Sequence, residues 1–236
     1  MKLNEIIPWG RTLEEYQLMF NLSPGNLKFK ILGCGDGPAS FNAEMTALGH
    51  SVISVDPLYQ WSGEQIKQRV QNTYESVVSQ VRQNSHEYVW NRFQNADELG
   101  QSRWAAMERF LLDYEAGKAE GRYQQQSLPH LAFDDHQFAL GLCSHLLFSY
   151  SEHLSLEFHL DSITELLRVC EEVRIFPLIN LQGELSPYLE TVIANLSSAG
   201  FEIQVESVGY EFRKGGNQML KINGKSSSNG GKSGIQ

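Results

Sequence analysis

The chain has 236 residues, 41% hydrophobic and 20% charged, which suits one sizeable α/β domain with an insertion and leaves two full domains cramped. A formal net charge of −9 argues against a protein that works on the nucleic-acid backbone, because sequence-independent affinity there comes from clustered Lys and Arg, and no apolar run reaches the ~18 residues of a membrane span. Cys34, Cys143 and Cys170 are odd in number, widely spaced and set in or beside apolar runs, so they read as reduced thiols of a soluble, cytoplasmic protein, with no CxxC or Cys/His cluster for a metal.

Residues 12–21 (TLEEYQLMFN) predict a short amphipathic helix: Thr12 caps it, Glu14 and Glu15 favour its first turn, and Leu13, Tyr16, Met19 and Phe20 share a face. Ser23-Pro24-Gly25-Asn26 breaks it. Residues 27–32 predict the first core strand, 39–48 a helix and 51–55 the second strand, joined as a right-handed βαβ unit. Over 60–126 strand-like runs are absent and apolar residues return at helical spacing, which predicts a helical insertion of about three elements. The α/β pattern resumes with a central strand at 138–143, a helix at 156–170, a strand at 172–178 and a helix at 187–199 closed by Gly200. Residues 201–208 and 210–222 predict an antiparallel pair, with a tight turn or bulge at Gly215-Gly216. The polar, Gly/Ser-rich tail 223–236 is expected to be disordered.

Chemistry concentrates in residues 29–56, FKILGCGDGPASFNAEMTALGHSVISVD: a strand, a glycine-rich turn, a helix, and a strand ending in an acid. In GCGDGP, Gly33, Gly35 and Gly37 alternate with Cys34 and Asp36, so a ligand can approach the strand end and the following helix closely. Asp56 stands where a carboxylate meets ribose hydroxyls. The dinucleotide fingerprint GxGxxG needs a sixth-position glycine, and that position is Pro38.

The three-glycine turn followed by Val55-Asp56-Pro57, with the later segment LPHLAFDDHQFALGLCSHLLFSY, resembles the class I S-adenosylmethionine-dependent methyltransferases over residues 27–56 and 127–222. The resemblance implies a Rossmann-like α/β fold: a seven-stranded, mostly parallel sheet with an antiparallel last strand and helices on both faces. The helical insertion (60–126) lies outside the resemblance and is expected as a cap between the second and third strands of a single domain spanning 1–222. The resemblance also implies S-adenosyl-L-methionine as cofactor. Gly33, Cys34, Gly35, Asp36 and Gly37 would wrap its methionine and ribose portions, and Asp56, with Pro57 beside it, would accept from the ribose. Ser127 and Leu128 fall against the adenine, and Cys143 and Ser144 near the methionine and methyl group. The chain departs from the family pattern at Ile31 and Ser127, where acids are usual.

Methyl transfer from a sulfonium is an in-line displacement that gains most of its rate from positioning. His145, just beyond the fourth strand, is the candidate base for a hydroxyl or acidic-carbon acceptor, with Glu152 and His153 a turn later. Arg11, after Pro8-Trp9-Gly10, and Tyr16 are candidates to meet a substrate or cofactor carboxylate. The segment Cys143-Ser144-His145-Leu146-Leu147 lacks the Asp/Asn-Pro-Pro-Tyr tetrad of base and amide methylation. The expected acceptor is a small or lipid-like molecule, not a nucleic acid, held under the insertion near Trp90 and Trp104. Two other readings compete: a catalytically idle cofactor-binding sensor or scaffold, kept open by Ile31 and Ser127, and an NAD-type oxidoreductase, disfavoured by Pro38.

Overall fold

The computed structural model describes residues 9–224. Thr12 and Glu15 each accept the other's backbone N–H in a capping box, and α1 (Leu13–Met19) starts there as expected. β1 (Ile31–Cys34) begins later than the expected 27–32, because Asn26–Lys28 form a single 3₁₀ turn in which the Asn26 side chain accepts from the backbone and hydroxyl of Ser23. All four residues of β1 are buried, as its unbroken apolar run requires of a strand covered on both faces. α2 (Phe41–Ala47) and β2 (Val52–Val55) complete the first βαβ unit.

The insertion holds two long helices, α3 (Gly63–Gln83) and α4 (Ala96–Ala119), where about three elements were expected. Between them Ser85–Glu87 make one 3₁₀ turn, and Asn95 then caps α4 by accepting from the N–H groups of Asp97 and Glu98. Trp90 and Phe93 therefore lie in a connection, not a helix. A Cβ on Gly100 would lie 2.6 Å from Tyr74 Oη and 2.8 Å from a Val78 methyl, so this glycine lets α3 and α4 pack closely. The insertion ends in β3 (Tyr123–Gln124), too short to carry any alternating pattern and not anticipated.

β4 (Phe138–Ser144), α5 (Leu156–Val169), β5 (Cys170–Phe176), α6 (Leu189–Ser198), β6 (Glu202–Ser207) and β7 (Gln218–Asn223) follow. The expected strand at 210–222 starts only at Gln218. The preceding loop carries its aromatics inward: Tyr210 meets Phe176 edge-on at 5.8 Å and Phe212 stacks on Tyr88 at 4.6 Å. Asn223, expected in the tail, is still paired within the sheet, and the tail from residue 225 onward lies outside the described residues.

The strand order is β3-β2-β1-β4-β5-β7-β6, parallel except for β7, which runs antiparallel to both neighbours. This is the Rossmann-like, seven-stranded sheet that the methyltransferase resemblance implies. α1 and α2 cover one face, with α4 against α2, and α5 and α6 cover the other. The order reverses between β1 and β4, and at that switch point a crevice opens beyond the carboxyl ends of the strands. Among the described residues no helix is long and apolar enough to cross a membrane.

Candidate active site

β1 runs straight into the glycine turn. Gly35 and Gly37 have φ of +69° and +52°, the left-handed region that an L side chain adopts only with strain. A Cβ on Gly35 would also lie 2.8 Å from Leu146 Cδ2, and one on Gly33 would collide with the Asp36 carboxylate. Asp36 turns inward, where Tyr16 Oη donates to it at 2.8 Å and Ser54 Oγ at 2.6 Å. Burial nonetheless pushes its pKa up to about 6, against the pull of those two hydrogen bonds.

Asp56 ends β2 and caps the turn Pro57–Gln60. One carboxylate oxygen accepts from Gly37 N at 2.9 Å and the other from Leu58 N at 2.7 Å. Burial raises its pKa, and the two backbone donors oppose that rise. Each oxygen keeps a lone pair for a further donor.

A cavity of about 500 Å³ lies over this turn, in the usual range for a small-molecule site. Cys34, Gly35, Asp36 and Gly37 form one stretch of its wall, continued by Asp56 and Pro57 and then by Ser127 and Leu128. Ser144 and His145 line it from the end of β4, and Arg11 and Tyr16 from the N-terminal segment. Gly33 and Cys143 do not line it: Gly33 backs onto Asp36, and Cys143 is buried in the sheet, where desolvation pushes its thiol up to about 12. Glu152, His153, Trp90 and Trp104 stand outside the wall as well. Trp90 donates to Ser85 O and packs on Tyr88 and Phe212, while Trp104 meets Tyr74 edge-on.

His145 takes a φ of +52° and donates its backbone N–H to Phe176 O at 2.7 Å. Its Nδ1 shares a hydrogen bond of 2.9 Å with Ser144 Oγ. Burial, then the charges of Arg11 and Arg103, hold the imidazole well below its ordinary pKa, so the ring is neutral and a weak base. Tyr16, already donating to Asp36, is likewise committed within the fold.

Arg103 of α4, with 1% exposure, also reaches the cavity. It pairs with Glu15 and donates to Tyr210 Oη at 3.1 Å, and Tyr210 donates in turn to Glu15 at 3.1 Å. Nothing in the sequence marked Arg103, a single basic residue on a helix whose partner stands 88 positions away. Trp61, Phe212 and Arg213 join the wall equally unannounced, whereas Trp9 had a local signal in its Pro-Trp-Gly setting. Among the described residues no group of three or more His, Cys, Asp or Glu gathers as a metal site.

No family model matches the chain. The uncharacterized protein MJ0045 of Methanocaldococcus jannaschii is 34% identical to it over 223 residues, covering 94% of this chain and 98% of that one. The chain belongs to the MJ0045 family. Among solved structures, this MJ0045-family chain is similar to magnesium protoporphyrin IX methyltransferase from Synechocystis PCC 6803 with bound S-adenosylmethionine (15% identity, 85% of this chain and 73% of that one, TM-score 0.45). It is similar also to a S-adenosylmethionine-dependent methyltransferase from Methanosarcina mazei (13% identity, 86% and 98%, TM-score 0.45). In the MJ0045-family chain the glycine turn, Asp56 and Ser144 line the cavity from the carboxyl ends of β1, β2 and β4.

Proposed function

We propose that the chain binds S-adenosylmethionine at the glycine turn and transfers its methyl group to a small-molecule acceptor in the same cavity. The observation that carries this reading is the Asp56 carboxylate, fixed by Gly37 N and Leu58 N at the cavity edge with lone pairs left for a ribose diol. Cys34, Gly35 and Gly37 then run under the methionine portion, with Ser144 opposite and Ser127 and Leu128 along the adenine. Asp36 and Asp56 put two carboxyl groups beside a ligand whose sulfur is cationic, which favours a sulfonium over a pyrophosphate. Pro38 at the sixth position of the glycine motif supports the same preference. Since His145 is a weak base, the rate rests mainly on holding acceptor and methyl group in line.

Titration calorimetry against S-adenosylmethionine, S-adenosylhomocysteine and NAD tests the reading. Both sulfur ligands should bind and NAD should not; heat with NAD alone would reverse the assignment. Asp56→Ala should weaken S-adenosylhomocysteine by about 1.5–3 kcal/mol, the loss expected for hydrogen bonds to a charged group. An unchanged affinity would show that the ribose lies elsewhere.

A further inference from the structure

Among the described residues the far wall of the cavity is basic, lined by Arg11, Arg103 and Arg213 with no carboxylate of its own. Arg11 lines it with its Nε buried and without an acceptor, and among the described residues its guanidinium makes a single hydrogen bond, from Nη1 to Trp9 O at 3.1 Å. Its main chain is fixed, because the carbonyl accepts from Ser40 N at 3.0 Å at the start of α2. Arg103 stands close enough to lower the pKa of Arg11 after burial has done so, and its own Nε also lacks an acceptor. Behind this wall, Glu15 pairs with Arg103 and Glu87 with Arg213, so neither carboxylate serves Arg11 as a hydrogen-bond partner. Among the described residues the only acids lining the cavity are Asp36 and Asp56, and both answer donors at the glycine-turn end.

A half-buried guanidinium whose Nε is sealed from solvent without an acceptor is costly until an anion completes it, and its planar fork matches a carboxylate or phosphate. The surrounding wall offers Phe176, Ile179 and Phe212 to an apolar body. Building on the methyltransferase reading, we propose that the acceptor is a small organic anion with an apolar body, and that Arg11 holds its anionic group. Arg11 is thereby a specificity-determining residue: it selects acceptors by charge, and the apolar wall selects them by shape. The two aspartates at the opposite end keep such an anion from settling in the cofactor's place.

The test uses the full chain saturated with S-adenosylhomocysteine and titrated with benzoate, phenyl phosphate and the neutral isostere benzamide. At least one anion should bind about tenfold more tightly than benzamide, and the better of the two says whether a carboxylate or a phosphate is preferred. Arg11→Gln should abolish that preference and Arg11→Lys should keep part of it, with S-adenosylhomocysteine affinity held within about twofold in both. Circular dichroism of each variant guards against misfolding, and the lysine variant carries the test if the glutamine one fails to fold. Equal binding of benzamide and both anions overturns the proposal. So does a loss of S-adenosylhomocysteine affinity in the variants with 5′-methylthioadenosine unaffected, which would give Arg11 to the cofactor's carboxylate. Failure of the unaltered chain to bind S-adenosylhomocysteine overturns the methyltransferase reading instead, and the anion preference is then decided on the ligand-free chain.

Discussion

Asp36 closes the glycine turn from inside, and that changes what the alternating glycines mean. Gly33 is small because Asp36 lies against it, and Gly35 because of its backbone angle and Leu146; only Gly37 opens on free space, its nearest neighbour being Asp56 Oδ2 at 3.9 Å. The turn was legible in the sequence and lies beside a cavity, yet much of its glycine content serves the turn's own packing. Burial of Asp36 has a thermodynamic consequence. Its pKa rises from 3.8 to about 6 on folding, so between those values the folded chain holds a proton that the unfolded chain has released. Stability therefore falls as pH rises through that window, by ~3 kcal/mol at most, and stays lower above it. Asp36→Asn, which can still accept from Tyr16 or Ser54, should be more stable than the parent at pH 7.5 by up to ~3 kcal/mol, with the gap closing by pH 4. Urea denaturation across that range checks this, and a pH-independent gap would mean that Asp36 is not the titrating group.

At the scale of elements, Glu15, Arg103 and Tyr210 join three pieces of chain that the sequence keeps far apart: α1, α4 and the β6–β7 loop. Burial alone would raise the Glu15 pKa, but Arg103 overcomes it and holds the carboxylate down at about 2. The pair's contribution is thus complete above the usual carboxylate range and is lost only as pH falls toward 2. Glu15→Gln should cost about 3–5 kcal/mol at pH 7 by leaving Arg103 buried without a counter-charge, and Glu15→Leu combined with Arg103→Met should recover most of that loss. Urea midpoints of the single and double variants decide it; a mild single effect would show that Arg103 finds another anion. Elements with local signals were legible: α1 from its Thr12 cap and acidic first turn, and α3 and α4 from helical spacing. β3 has two residues and hence no period to detect, and Tyr210 and Phe212 resemble strand residues while packing as a loop.

For the molecule as a whole, the glycine-turn end of the cavity could be drawn from the sequence because Cys34 through Asp56 lie in one short βαβ unit, whereas the opposite end is assembled from α3, the segment around Arg11 and the β6–β7 loop. No local pattern announces such a convergence, which is why Arg103, Phe212 and Arg213 went unread and Trp90 and Trp104 were misplaced. A ligand that binds only the folded cavity should stabilise the entire fold: S-adenosylhomocysteine at 100 times its Kd adds about 2.7 kcal/mol, a rise in Tm of roughly 5–10 °C for a chain of this size. Differential scanning calorimetry measures it, and an unmoved transition would rule out binding to the folded state. The insertion itself is anchored at several points. It leaves the sheet at β2 and re-enters at β3, the start of α3 is tied to the end of α4 by Gly63 N donating to Glu115, and Arg103 clasps α4 to α1. A roof held this way does not swing open as a hinged lid. Among the described residues of the wall, Trp61 keeps 40% exposure, and the rotation of a side chain that reaches solvent belongs to the picosecond-to-nanosecond range, a fast clock beside the microseconds of a moving domain.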